Sequence, residues 1–250
     1  MQTNQIIIAL QFWEGDKEAA MRNARRIADI EPKFREDTEI MFCARFDCEF
    51  DEETITYVSL KFKTHRFRSA RRGTGWPHGC NELALSSLHE VANRYHTGEW
   101  LNFKAAFLME ADCVPVANEW LDYLHAEWDE AASLGKEVAG CWLPFHGKTF
   151  GHINGNLLIH PYLVRKRQIQ GCAPDVGWDD WVAPQIEGVW FKTGFLKNLY
   201  RATEVAEKDI LTPWIEGKKV GLIHGVKDLS IENYADKHLI KYPPWVLSDT

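Results

Sequence analysis

Residues 107–115 read Phe-Leu-Met-Glu-Ala-Asp-Cys-Val-Pro, an apolar run that ends in two acids one residue apart. The stretch Ala105-Ala106-Phe107-Leu108-Met109 has the make-up of a buried strand. The two-residue period of a strand then points Glu110 and Asp112 the same way at its exit. Two hard oxygen ligands side by side can hold Mg²⁺ or Mn²⁺, usually together with substrate phosphates. A strand running into a solvated acidic turn gives the same local pattern, so the rest of the chain must decide between the two.

A second constellation is Gly221-Leu222-Ile223-His224-Gly225-Val226-Lys227-Asp228. A short apolar strand delivers His224, Gly225 permits a tight turn, and Lys227 follows. Alone, this reads as a surface loop. Set beside Glu110 and Asp112, the imidazole completes an N/O donor set for a divalent cation, and the lysine would neutralise a diphosphate.

Together these motifs resemble the GT-A glycosyltransferases, in which a D-x-D-type triplet ends a central strand and binds the metal of a nucleotide-sugar. Glu110-Ala111-Asp112 matches that triplet, with Glu in place of the first Asp. Glycogenin-like members add a C-terminal His and Lys in an H-x-x-G-x-K pattern. The segment His224-Gly225-Val226-Lys227 is a shorter version of it. The resemblance implies that Asp112 binds the metal directly and that Glu110 binds it through water or reaches the ribose. It further implies that His224 completes the metal site and that Lys227 holds the diphosphate, with Ala111 lying on the donor between the two acids.

Three further segments carry chemistry. The first is Arg71-Arg72-Gly73-Thr74-Gly75-Trp76-Pro77-His78-Gly79-Cys80-Asn81, a glycine-rich loop before a helix that Asn81 can cap. Helix N-termini favour phosphate, and the loop resembles loops of phage-encoded and bacterial GT-A-like proteins. Arg72, Gly75, Trp76 and Asn81 are therefore expected at the donor nucleotide or the acceptor mouth; a turn around a packed Trp is the structural alternative. The second is Gly151-His152-Ile153-Asn154-Gly155-Asn156-Leu157, read as a polar turn entering a strand. Amides donate to and accept from sugar hydroxyls, so Asn154, Gly155 and Asn156 are candidates for a sugar and acceptor pocket. The third is Gly177-Trp178-Asp179-Asp180-Trp181. Asp179 or Asp180 would serve as the general base that deprotonates an acceptor hydroxyl, with Trp178 as a stacking wall. Acids also belong in the first turn of a helix, and the sequence does not rank the two.

The elements that must position these groups read as an alternation. Residues 6–12 suit a buried strand, and Asp16 can cap a helix running to about residue 30, before Pro32. Residues 39–46 suit a second strand. Asp51 opens a short helix with Ile55, Val58 and Phe62 at helical spacing, and residues 65–72 read as strand then loop. A helix spans residues 81–96, and another spans 119–134 with Asn118 as its cap. Strands are expected at 138–143 and 157–160, and residues 175–185 turn and become helical. From Tyr242 to Trp245 the chain reads as an extended tail. This pattern predicts an α/β fold, GT-A-like, with a mostly parallel central sheet flanked by helices and a less regular C-terminal part. It forms one domain: residues 1–116 as the donor-nucleotide half, 117–250 as the acceptor half with the metal and diphosphate segment. The site of such a sheet lies beyond the carboxyl ends of its strands. That places Phe12, Trp13 and Arg45 on the donor side.

The 250 residues suffice for such a core, being 45% hydrophobic. A net charge of −7 excludes an overall basic nucleic-acid binder. Local basic runs remain: His65-Arg66-Phe67-Arg68 with Arg71 and Arg72, and residues 165–167. The first could track a phosphate backbone, serve the donor diphosphate or be a solvated face. Arg22, Arg25 and Arg26 read as a solvated helix face. Six cysteines lack C-x-x-C or zinc spacing, which suggests a reducing, cytoplasmic setting (host cytoplasm for a phage protein) without disulfides. The first residues have no signal-peptide pattern, and no run is long enough to span a membrane.

The expected function is a metal-dependent hexosyl- or pentosyltransferase that uses a nucleotide-sugar, read as UDP-linked, with Mn²⁺ or Mg²⁺. Expected acceptors are a hydroxymethylated base in phage DNA or a cell-surface glycan. A phosphohydrolase or nuclease would need more carboxylates converging on two metals. A non-catalytic sugar- or nucleotide-binding protein is the third class. Oligomeric state has no signature in the sequence.

Overall fold

The computed structural model describes residues 5–144 and 151–242, with the backbone alone at 200 and 201. The tail expected from Pro243 onward lies outside the described residues. In chain order come β1 (Gln5–Phe12), α1 (Lys17–Asp29), β2 (Arg35–Ala44), α2 (Glu52–Val58), β3 (Phe62–Arg68), α3 (His78–His96), β4 (Phe103–Glu110), β5 (Val114–Pro115) and α4 (Trp120–Ser133). Then follow β6 (Val138–Leu143), β7 (His152–Ile159), α5 (Leu163–Lys166), α6 (Trp178–Val182), β8 (Trp190–Lys192), β9 (Leu196–Ala202), α7 (Glu207–Leu211), β10 (Leu222–Val226) and α8 (Ser230–His238).

The main sheet has the order β3-β2-β1-β4-β7-β6-β8. β1 pairs in parallel with β2 and β4, and β2 with β3; only the pairs made by β7 are antiparallel. β1 is apolar almost throughout because both of its faces are covered. Ile6, Ile8 and Leu10 pack with Ala24 and Ile27 of α1 and with Trp120 and Leu124 of α4. Ile7 and Ala9 pack with Leu85, Leu88 and Val91 of α3. The strand period thus divides one run between two helical layers. Each buried Ile or Leu side chain contributes about 1.5–3 kcal/mol to that division. A second sheet, β5-β10-β9, forms from the C-terminal part and the segment just after β4.

Several boundaries differ from the sequence expectation. β2 begins at Arg35, because Arg35 pairs with Phe62 of β3 and Thr38 with Ile6 of β1 rather than lying in a loop. Phe62 starts β3 instead of extending α2. Asp51 does cap α2, accepting from the Thr54 amide at 3.1 Å. Asp16 and Asn118 cap nothing with their side chains: Asp16 Oδ1 accepts the Trp13 amide, and Asn118 Oδ1 accepts the amide of Ile240. α3 starts three residues before Asn81, so Asn81 sits inside its first turn. Arg26 is not on a solvated face; it is 6% exposed and pairs with Asp236. The largest departure is β7, where residues 152–156 are strand rather than a turn before one.

Candidate active site

Parallel pairing places Gln11 of β1 opposite Glu110 and so brings Glu110 to the carboxyl edge of the main sheet. The chain then turns through Asp112 into β5. Antiparallel pairing of β5 with β10, Ile223 opposite Val114, carries His224 back to the same place. The β10–β9 register shifts between His224 and Val226, and Gly225 sits there at φ +87°. Such a bulge re-aims a side chain and demands glycine. Two sheets therefore meet at one cluster. His224 Nε2 lies 2.7 Å from Glu110 Oε2 and 3.2 Å from Asp112 Oδ1, and Lys227 Nζ pairs with Asp112 Oδ2.

Burial alone would lower the His224 pKa, but the charges of Glu110 and Asp112 outweigh it and hold the imidazole at about 10. Burial alone would raise Asp112, but contact with His224 and Lys227 holds it far below the usual carboxylate range. Asp16 joins the cluster electrostatically. Burial first, and then the charges of Asp112 and Glu110, raise it to about 6 against the bond from the Trp13 amide. The Cys80 thiol is held at about 11, by desolvation first, and it also feels Glu110, Asp16, Arg45 and Lys227. The N-terminal end of α3 therefore borders the same cluster.

The residues present fit a divalent cation. One donor atom from each of Glu110, Asp112 and His224 lies within 4.8 Å of the others. The His224 side chain is 7% exposed, and among the described residues neither ring nitrogen makes a hydrogen bond of good geometry despite the short approach to Glu110. Two hard oxygens and an imidazole that lacks an in-plane partner make a donor set suited to Mn²⁺ or Mg²⁺. A cation entering there would displace the imidazole proton.

Strand β7 supports this cluster from the side. Asn156 is fully buried; its Oδ1 accepts the Glu110 amide at 2.7 Å and its Nδ2 donates to Glu110 Oε2 at 3.3 Å. Asn154 Oδ1 in turn accepts from the Asn156 amide and side chain, both at 3.0 Å. At Gly155, a Cβ would lie 3.2 Å from Trp178 Nε1 and 3.5 Å from Glu110 Oε1. The pocket residues expected from sequence are therefore brought together with the acids. Farther along β7, His152 faces Asp179 and Asp180.

The expected donor residues separate into two groups. Arg45 stacks on Trp13 at 4.8 Å and on Phe46 at 5.9 Å, is gripped by Asp47, and Arg72 reaches the same Phe46 ring. Trp13 remains 41% exposed, its ring lying over Gly15, where a Cβ would collide with it. By contrast, the Phe12 ring is buried beside Phe50, and the Ala111 side chain is in the core, so neither side chain faces a donor. Asn81 is 2% exposed and is spent on the loop before α6, donating to Ala173 and Val176 carbonyls and accepting the Trp178 amide at 2.8 Å. Gly75 takes φ +72° and Trp76 stands 79% exposed in the loop before α3. Three arginines of the basic run are paired in place: Arg66 with Glu52, Arg68 with Glu49 and Arg71 with Glu82.

Two residues escaped the sequence reading. Asp16 was legible only as a cap. His152 would have emerged had residues 152–156 been read as a strand, because 152, 154 and 156 then share one face.

No protein-family profile matches the chain, and no curated protein sequence matches it. Solved structures do share its fold. S. aureus TarS aligns with a TM-score of 0.51 at 9% identity, over 92% of this chain and 38% of that one. The TarS 1-349 structure aligns at 0.50 and 8% identity, over 88% of this chain and 60% of that one. The apo form of mouse xyloside xylosyltransferase 1 aligns at 0.50 and 11% identity, over 88% of this chain and 97% of that one. The chain thus spans 38% of one TarS structure and 60% of the other, less than two thirds of either. At these identities the likeness describes the fold, a GT-A-like α/β architecture with a seven-stranded, mostly parallel sheet. Among the described residues, no helix is long and apolar enough to cross a membrane.

Proposed function

We propose that this chain is a cation-dependent glycosyltransferase that moves a sugar from a nucleotide-sugar, read as a UDP-sugar, to a hydroxyl acceptor. The observation that carries the proposal is the convergence of Glu110, Asp112, His224 and Lys227, from two sheets, at the carboxyl edge of a GT-A-like fold.

In this reading Asp112, His224 and Glu110 hold Mn²⁺ or Mg²⁺. When bound, the cation offsets charge developing on the leaving diphosphate. Lys227, half exposed beside Asp112, turns toward the same diphosphate. The N-terminal end of α3 adds oriented amides. Trp13, Arg45 and Arg72 form the wall for the nucleotide, with Asp16 beside the cation. Asn154, Gly155 and Trp178 border the sugar, Asn156 holds Glu110 from behind them, and Asp179 or Asp180 takes the acceptor proton. Residues 1–116 then hold the donor, and 117–250 supply the acceptor side with His224 and Lys227. The arginines that suggested phage DNA as acceptor are engaged by Glu49, Glu52 and Glu82. The structure therefore lends more support to a compact hydroxyl acceptor, such as a glycan, than to a duplex.

The direct test is thermal shift against a panel of nucleotide-sugars with and without Mn²⁺. A ligand that binds only the folded state raises the apparent Tm by mass action. A rise with one nucleotide-sugar that requires Mn²⁺ is expected, followed by its turnover. Stabilisation by no nucleotide, or cleavage of DNA without any nucleotide-sugar, would overturn the reading.

A further inference from the structure

His152 lies between two carboxylates. Its Nε2 is 3.4 Å from Asp179 Oδ2 and its Nδ1 is 3.2 Å from Asp180 Oδ1. The two ring nitrogens point in different directions, so the imidazole meets one acid through each. Asp179 and Asp180 are neighbours in the first turn of the five-residue α6, where two adjacent negative charges repel. A cationic ring between them offsets that repulsion. Gly177 leaves room for the arrangement: a Cβ there would sit 2.8 Å from Asp179 Oδ1.

The two acids are not equivalent. Asp179 Oδ1 accepts the Asp180 amide at 3.1 Å and its Oδ2 faces His152. Asp180 is the more exposed, 27% against 19%. Strand β7 links this group to the cation cluster, because a Cβ at Gly155, three residues beyond His152, would lie 3.2 Å from Trp178 Nε1 and 3.5 Å from Glu110 Oε1. Resting on the transferase reading above, we infer that His152 is a positioning residue that ties Asp179 to Asp180 and presents Asp180 as the carboxylate that receives the acceptor's proton. In that step the acceptor O–H bond breaks and its proton goes to Asp180. The oxygen bonds the anomeric carbon. The bond from that carbon to the diphosphate oxygen breaks, and its electron pair leaves with the diphosphate. His152 keeps its protons throughout.

Burial works against the charged form of His152, but Asp179 and Asp180 together raise its pKa above the ordinary histidine value. The titratable surroundings of this pair also include the Cys172 thiol, which feels Asp175 and Glu82 together with Asp179 and Asp180.

The test uses the full chain with His152→Gln, Asp179→Asn and Asp180→Asn. Proton NMR of the His152 ring, assigned by its loss in His152→Gln, follows the imidazole titration without any need for activity. Its midpoint should fall in both Asp variants; an unchanged midpoint in either overturns the clamp. In turnover assays with the stabilising nucleotide-sugar, Asp180→Asn should lower kcat by about 100-fold or more, the scale of general-base catalysis. His152→Gln should lower kcat by about tenfold with donor KM unchanged, and added imidazole should restore part of the loss in His152→Gly. A larger kcat loss in Asp179→Asn than in Asp180→Asn, or a donor KM that rises with the kcat loss in His152→Gln, would overturn the assignment. So would a second equivalent of bound Mn²⁺ that disappears in His152→Gln, since it would make these groups cation ligands. If the NMR midpoints move but no nucleotide-sugar stabilises the protein, the clamp stands and the transferase reading fails.

Discussion

Asn156 holds Glu110 at two points, accepting its amide at 2.7 Å and donating to its Oε2 at 3.3 Å. One fully buried side chain thus fixes both the backbone and the carboxylate of a candidate cation ligand. Asn156→Ala would leave the Glu110 amide without its partner, at about 1–3 kcal/mol. Loss of such a supporting bond weakens metal affinity by about 10–100-fold. We expect Mn²⁺ titration of Asn156→Ala to show a Kd raised within that range and a modestly lowered Tm. An unchanged Mn²⁺ Kd would mean that Glu110 does not depend on Asn156 for its placement.

Asp112 and Lys227 can be separated experimentally although they are paired. Asp112→Asn keeps the shape of the side chain and removes a charged donor, so Mn²⁺-dependent donor turnover should disappear while the far-UV spectrum stays native. Full activity in that variant would remove Asp112 from the cation site. Lys227→Ala should leave Mn²⁺ binding in place and weaken nucleotide diphosphate binding by about tenfold, the scale of one charge-assisted hydrogen bond. An unaltered diphosphate Kd by calorimetry would take Lys227 out of the donor site.

Gly155 marks the close passage of β7 between Trp178 and Glu110. The Cβ of Gly155→Ala would meet Trp178 Nε1 at 3.2 Å, so the indole must shift by a few tenths of an ångström. Reactive geometry tolerates little such movement. The expected result is a native-like Tm with kcat reduced at least about tenfold, read in a steady-state assay. Wild-type kcat would show that this passage does not border the reacting sugar.

Much of this site was legible because its strands are covered on both faces. Runs such as residues 6–12 and 105–109 stay apolar for that reason, and the point where the run stops marks the carboxyl edge. His224 was legible from the glycine after it. β7 was not, because His152, Asn154, Gly155 and Asn156 carry the polarity of a loop. They are polar in order to bind Glu110 and face Asp179 and Asp180, partners that lie 46 residues away in the first case. Asn81 was misplaced for the same reason: its amide looks like a cap, yet its partner is the Trp178 amide, 97 residues on. Local propensity describes where a side chain starts, and tertiary pairing decides which group it meets.

Glu31 offers a test of the fold that is independent of the site. Its side chain is 2% exposed, and Oε1 has no hydrogen-bond partner among the described residues. Arg35, the cation paired with it, is shared with Asp37 and Asp122. Burial therefore raises Glu31 to about 7, with Arg35 opposing the shift. The folded state binds this proton more tightly than the unfolded chain, whose ordinary value is 4.5. The resulting stability is fully present below that value and is lost as pH rises through about 7. Converted at 1.36 kcal/mol per unit, the loss is on the order of 3 kcal/mol. Denaturant unfolding at pH 5 and pH 8 should show this loss in the wild type and a flatter profile in Glu31→Gln, which stays neutral at both. Parallel profiles for the two proteins would show that Glu31 is ionised in the fold and that Arg35 compensates it.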